Sequence, residues 1–435
     1  MPPSPTVDAP LYASTTAARP SESAAEIVVA HVLPDLVCFA HLQWDFVWQR
    51  PQHLLTRFAQ YGRVFYVEDA FYHNNDDDIT PYVEVKERQN GVRVVVVHLP
   101  QRLRTDETAA DQVQFEVLSH FFHEQGLSKY VFWYYTPMAL GKSRQFQPLL
   151  TVYDCMDELA NFKFAPPELK HREQELFQKA DLVFTGGHTL YEAKRAQHPD
   201  AHSFPSSIDK AHFGQARGPL AEPADQACIP HPRIGFFGVV DERMDVDLLR
   251  ELSQNHPEWQ FVIIGPVVKI DPVILPRAPN VYYLGSKDYM ELPAYLKGWE
   301  VATLLFADNE STRFISPTKT PEYLAAGNPV VSTPIRDVVR PYGDLKLVQI
   351  ADNAVDFGRA IGKALTQRTD ADWRQRTDDY LATISWDQTW EAMVTLMQRR
   401  LSAKTPDAAT TTLASAPLMA TKVSEVTLPP ITPEY

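Results

Sequence analysis

The stretch Ser316-Pro-Thr-Lys-Thr-Pro-Glu-Tyr-Leu-Ala-Ala-Gly-Asn-Pro-Val-Val-Ser332 runs from residues suited to hold an anion straight into a buried strand. Ser316 or Thr320 can cap a helix, the prolines suit its first turn, Glu322 to Ala326 continue it, and Gly327 stops it. First-turn N–H groups have no partner within a helix, and the helix dipole stands behind them, so the start formed by Ser316, Thr318 and Lys319 favours a phosphate. Glu322, one turn further in, is placed to accept hydrogen bonds from sugar hydroxyls. The same residues would also make an ordinary surface helix with an exposed Glu and Lys, and the segment alone does not separate the two.

A second set lies in the first half of the chain. Tyr153-Asp-Cys-Met-Asp-Glu158 ends a predicted strand and presents three carboxylates. Asp154 or Asp157 could take a proton from an acceptor hydroxyl, with a raised pKa if buried; Asp154 could equally cap a helix. His41 closes the first predicted strand and is a further catalytic candidate. Gln49-Arg-Pro-Gln-His53 begins the next helix, with Pro51 in its first turn, so Arg50, Gln52 and His53 could reach an acceptor or a donor sugar. The alternative is that Trp44, Phe46 and Trp48 pack a loop and His53 faces solvent. No metal is expected. The Asp-x-Asp of Asn74 to Asp78 lies in a polar loop with no strand leading to it, and no histidines are spaced as a zinc pair. No Gly-x-Gly-x-x-Gly follows a strand, which argues against a dinucleotide-dependent dehydrogenase.

These residues need an α/β scaffold. With 435 residues the chain exceeds one hydrophobic core, and short β-branched or aromatic runs alternate with helical patterns, as in parallel sheets crossed by helices. Strands are expected at 35–40, 64–67, 92–97, 130–135, 149–153 and 182–185, and again at 233–238, 260–265, 281–285, 301–306 and 329–332. Two Rossmann-like sheets follow: a first domain over 31–213, a proline-containing linker over 214–232, a second domain over 233–385, and a helix over 386–401. Residues 1–30 and 402–435 lack core-forming patterns and read as disordered tails. No apolar run spans a bilayer and no signal peptide opens the chain, so a cytoplasmic protein is expected. Cys38, Cys155 and Cys228 are scattered, as in a reducing compartment, and the net charge of −14 disfavours nucleic acid as a partner.

The segment 316–333, together with the aromatic, His- and Arg-containing opening from Phe39 to His53, resembles bacterial glycosyltransferases of the GT-B fold, group 1 or family-four type. The resemblance runs over roughly residues 35 to 400. It implies transfer of a sugar from a UDP- or GDP-linked donor to a glycan or lipid-linked acceptor in cell-envelope or exopolysaccharide synthesis, without a metal, at the inner face of the membrane if the acceptor is lipid-linked. In that family the helix carries the second glutamate of a Glu-x7-Glu pair, which grips the ribose. Glu322 matches it; the first position is Phe314 here, and Glu310 lies four residues too early. The loop after Gly238 stands where the family places cations on the diphosphate, which nominates Arg243, although it could simply balance Asp241, Glu242 and Asp245. Asp154 stands closest to a family histidine near the reacting sugar, and the helix from Trp386 resembles one that crosses back to the first domain. A nucleotide-sugar epimerase of the same fold and a non-enzymatic scaffold are the alternatives.

Overall fold

The computed structural model describes residues 33–74 and 78–404. The segments expected to be tails therefore lie almost wholly outside the described residues, as do Asp76 and Asp77 of the polar loop.

The first sheet has nine strands: β1 (Asp35–Phe39), β2 (Val64–Val67), β3 (Phe71–His73), β4 (Tyr82–Glu87), β5 (Val92–Pro100), β6 (Tyr130–Tyr134), β7 (Leu150–Cys155), β8 (Leu182–Thr185) and β9 (Ala201–Ser203). The order is β3-β5-β2-β1-β6-β7-β8-β9, parallel throughout, with β4 alone pairing antiparallel to β5. The second sheet holds β10 (Arg233–Phe237), β11 (Gln260–Ile264), β12 (Val281–Tyr283), β13 (Val301–Leu304), β14 (Val330–Ser332) and β15 (Val348–Ile350), all parallel in the order β12-β11-β10-β13-β14-β15. The central strands are the continuous apolar runs, because a parallel strand covered by helices is buried on both faces. In each sheet the order reverses beside the first strand, and ligand crevices form at such switch points, outside the carboxyl ends of the strands.

Between β9 and β10 the chain makes short helical turns, among them Lys210–Gly214 and Ala224–Ala227, rather than an irregular linker. The last helix, Trp386–Lys404, runs three residues beyond the end expected from its pattern. Its apolar stripe of Trp386, Trp390, Met393, Val394 and Met397 joins the core cluster that includes Leu36, Val64 and Trp133, with Trp390 edge-on to Phe58 and stacked on Tyr61. Arg57 to Asp387 and Lys404 to Asp181 add ion pairs along the same seam.

Trp386 is buried and stacks on His53 with ring centroids 4.7 Å apart. Trp386→Ala should cost about 3 to 5 kcal/mol, the range for truncating a buried aromatic. Urea unfolding of the full chain measures this, and limited proteolysis should show the last helix released before either sheet.

Candidate active site

The cleft between the sheets has two adjoining chambers. One of about 400 Å³ is lined by Trp44, Trp48, Gly238, Gly265, Tyr289 and Glu322, among others. The other, about 100 Å³, is lined by Arg50, Asp157, Arg243, Ser316 and Lys319, among others. Gln49, Val239, Thr318 and Lys319 border both, so the two chambers adjoin at the helix start.

The floor is bare backbone at the ends of β10 and β11. Gly238 and Gly265 have φ of +148° and +138°, where side chains are strained. A Cβ on Gly265 would meet the Gly238 carbonyl oxygen at 1.9 Å, and one on Gly238 would meet Lys319 Cε at 2.6 Å. The Lys319 stem thus lies directly over the β10 end.

The helix Lys319–Ala326 ends at Gly327, which takes the left-handed conformation (φ +86°). Its start lacks a side-chain cap: Thr318 makes no bond to the first turn, and the buried Thr320 hydroxyl has no partner. The capping expected of Ser316 or Thr320 is not made; the Ser316 carbonyl instead accepts from Ser206 Oγ of the first half at 2.6 Å. An uncapped helix start favours anions; here the Thr320 N–H already donates to the Pro317 carbonyl at 3.2 Å and Pro321 has no N–H, so the positive charge at this start comes mainly from the helix dipole and Lys319. Glu322 is 5% exposed, and burial pushes its carboxyl up to about 7 against the downward pull of Lys319. Burial in turn lowers the Lys319 ammonium, against the attraction of Glu322.

Arg243 points into the smaller chamber with its guanidinium held by Asp241, Nε at 2.9 Å from Oδ1 and Nη2 at 2.7 Å from Oδ2. The Asp241 pairing that could have made Arg243 a surface residue instead aims it. Opposite stands Asp157, whose carboxyl burial raises to about 6 against the pull of Arg243, Lys319 and Arg50. These three cations, from both halves of the chain, converge on one carboxylate.

Asp154 sits differently from Asp157. It is fully buried, and both of its oxygens accept from Arg50, Nε at 2.9 and 3.1 Å and Nη2 at 2.8 Å, while Arg50 Nη1 donates to the Phe204 carbonyl. Burial raises its carboxyl and Arg50 lowers it again. Asp154 therefore fixes Arg50 and does not line the chamber itself. His41 lies outside both chambers; burial drives its pKa down to about 4, leaving a neutral ring at physiological pH.

Gln52 and His53 correct the sequence expectation, because neither faces the cleft. Gln52 Oε1 accepts from the Gln49 N–H at 2.9 Å and its Nε2 donates to the Trp44 carbonyl at 2.7 Å, so a side chain expected to touch substrate ties the helix start to its loop. His53 is buried between Trp386 and Tyr289, and burial holds it neutral. Phe314 leans out of the second half onto the core of the first sheet and away from the helix bearing Glu322. Gly265 and Tyr289 were not singled out from sequence, and Asp241 was named there only as a charge that Arg243 could balance. For Gly265 the signal was present, since a strand ending in glycine repeats the pattern of Gly238. Among the described residues no group of three or more His, Cys, Asp and Glu could hold a metal ion, and no helix is long and apolar enough to cross a membrane.

Comparison with known proteins bears on the fold. No family model matches the chain. It is 24% identical over 258 residues to the putative teichuronic acid biosynthesis glycosyltransferase TuaH of Bacillus subtilis (strain 168), covering 54% of this chain and 64% of that relative's length. Solved structures that superpose well are sucrose-phosphate synthase from Thermosynechococcus elongatus (TM-score 0.62, 14% identity, 85% of this chain and all of that one) and the E. coli trehalose-6-phosphate structure bound with UDP-2-fluoro glucose (0.60, 12%, 84% and 99%). The catalytic domain of starch synthase IV from Arabidopsis thaliana, bound to ADP and acarbose, follows (0.59, 9%, 86% and 99%). The fold is GT-B, two Rossmann-like units with a ligand cleft between them.

With Glu322 pushed up to about 7 and expected from the sequence to accept from ribose hydroxyls, affinity for nucleotide sugars should rise with pH through neutrality and level off above it, because the ionised carboxylate is the stronger acceptor. Glu322→Gln should flatten this rise, and Glu322→Ala should weaken binding by roughly 1.5 to 3 kcal/mol, the worth of hydrogen bonds to a charged group. Calorimetry with UDP- and GDP-linked sugars across that range checks both.

Proposed function

We propose that this chain is a glycosyltransferase that moves a sugar from a nucleoside-diphosphate donor to an acceptor hydroxyl in the assembly of a cell-envelope polysaccharide. The observation that carries this reading is the smaller chamber. An uncapped helix start, Lys319 and Arg243 from one half face Asp157 and Arg50 from the other across a space adjoining one large enough for a nucleoside. Fixed positive groups of this kind stabilise the charge that grows on a departing diphosphate. Glu322 takes the ribose hydroxyls, and Trp48, Tyr289 and the glycine floor bound the space for the base. Asp157, with its raised pKa, receives the acceptor proton, and Arg50, fixed by Asp154, orients the sugar or acceptor. The likeness to TuaH supports the polysaccharide context, and the neighbours bound to UDP-2-fluoro glucose and to ADP support a nucleotide-linked donor; UDP or GDP is the choice implied by the sequence resemblance. A glycan or lipid-linked acceptor would bring the chain to the inner face of the membrane as a peripheral protein.

A panel of nucleotide sugars assayed for acceptor-dependent nucleotide release tests the reading. Conversion of the donor with no acceptor present would make the chain an epimerase, and binding without turnover would make it a scaffold. Activity should persist in excess chelator, since the diphosphate charge is met by the helix dipole, Lys319 and Arg243. Loss of turnover in chelator, restored by magnesium or manganese, overturns the metal-free assignment.

Arg243→Met should lower affinity for nucleoside diphosphate and leave nucleoside affinity nearly unchanged, because that charge acts on the phosphates; Lys319→Met should lower diphosphate affinity much more than nucleoside affinity, a smaller nucleoside loss being expected because Lys319 also holds the Glu322 carboxyl down. Equal losses for uridine and UDP in calorimetry would refute the placement.

A further inference from the structure

Arg243 is gripped from two sides, and only one of them belongs to its own domain. Asp241 takes the guanidinium edge; the ring of Phe162, from the loop after β7, lies 5.3 Å from the guanidinium carbon. The same ring lies 5.8 Å from Lys269 Nζ. Lys269 comes from the loop after β11 and holds a left-handed backbone, φ +61°, which a residue with a side chain adopts only where its surroundings impose it. Its ammonium makes none of the ion pairs found among the described residues, and its charge is felt by His41 at the end of β1.

Two hydrogen bonds pin the loop that carries Phe162 across the cleft. Asn161 Nδ2 donates to the Glu310 carbonyl at 3.2 Å, and the Lys163 N–H donates to Glu242 Oε1 at 3.2 Å. The loop begins at Asp157, so the carboxylate proposed as base and the ring that clips the cations lie five residues apart on one short segment. Phe164, two residues on, has φ +67° and is 76% exposed; it takes no part in the clip.

We propose that Phe162 is a positioning residue of the donor site: its ring, reached across from the first domain, holds the Arg243 guanidinium at the smaller chamber, while Lys269, outside both chambers, shares the same ring. The inference rests on the nucleoside-diphosphate reading given above and adds to it a ring from the opposite domain. An aromatic face attracts a cation through its quadrupole and does so more strongly where water is thinned out, as between two domains.

The test is calorimetric binding of UDP, GDP and uridine to the full chain and to three variants. Phe162→Leu keeps the apolar bulk and removes the π face; Phe162→Tyr keeps both; Phe164→Ala is the control on the same loop. Phe162→Leu should weaken the diphosphate that the parent prefers about three- to tenfold, the range expected for a partly desolvated cation–π contact, and leave uridine unchanged. Phe162→Tyr should bind as the parent does, and so should Phe164→Ala. If Phe162→Leu binds the diphosphate as tightly as the parent, or if Phe162→Tyr loses as much as Phe162→Leu, the π face is not what positions the cations and the proposal falls. If all variants bind alike while turnover of a nucleotide sugar is intact, only this inference fails. A parent chain that binds neither UDP nor GDP overturns the transfer reading and this inference with it.

Discussion

A guanidinium held on both oxygens of a fully buried carboxylate anchors the first half of the cleft. Arg50 opens a helix just after β1 and Asp154 ends β7, so one ion pair locks together elements 104 residues apart, and the third nitrogen of Arg50 reaches the Phe204 carbonyl beyond β9. Desolvating two charges is costly, and such a pair contributes little to stability compared with apolar groups of the same size; removing one partner alone, however, strands the other. The pair is thus better understood as a device of position than of stability. It sets the height of the β7 end, and with it the loop that carries Asp157 into the cleft and Phe162 over Arg243.

The second half answers with backbone where the first uses charge. Gly238 and Gly265 let β10 and β11 end flush under the Lys319 stem, and the uncapped helix start comes down onto that floor. Contacts between the halves surround the space on several sides. Trp48 stacks on Tyr289 at 5.2 Å, and Ser206 bonds the Ser316 carbonyl. Asp337 accepts from the backbone N–H groups of His188 and Thr189 at 2.8 and 3.0 Å. Burial in the closed cleft is what raises the carboxyls of Asp157 and Glu322, so the electrostatics of the site belong to the pair of domains together.

The sheets were legible because parallel strands buried on both faces leave unbroken apolar runs, as in residues 36–39 and 261–264. Strands lying at or near a sheet edge escaped: Phe71–His73 and Ala201–Ser203 are three residues each, and Tyr82–Glu87 is largely exposed, so none carries a core signature. Glu322, Lys319 and Gly238 stood out because helix starts and strand ends have a local grammar of Pro, Ser, Thr and Gly, and the structure brings all three to one chamber. Gln52 and His53 have residue types that suggest function, yet the fold spends them on a loop tie and a ring stack, which depend on Trp44 and on a helix more than three hundred residues away. Asp154 and Asp157 are alike in sequence, and only the approach of Arg50 distinguishes the one that is tied from the one that is open to the chamber. Tyr289 and Phe162 were invisible for the same reason, since each acquires its role from the opposite half.

The last helix has a consequence for the order in which the molecule can be made. Trp386, Trp390, Met393, Val394 and Met397 complete the core on one face of the first sheet, yet they are among the last described residues. During synthesis the entire second domain must emerge before that face is covered, so a nascent first domain waits with Leu36, Val64 and Trp133 short of their partners. The second domain is, in effect, an insertion between a sheet and its own cover. Its rate of folding sets how long the apolar face stays open to chaperones or to a neighbouring chain.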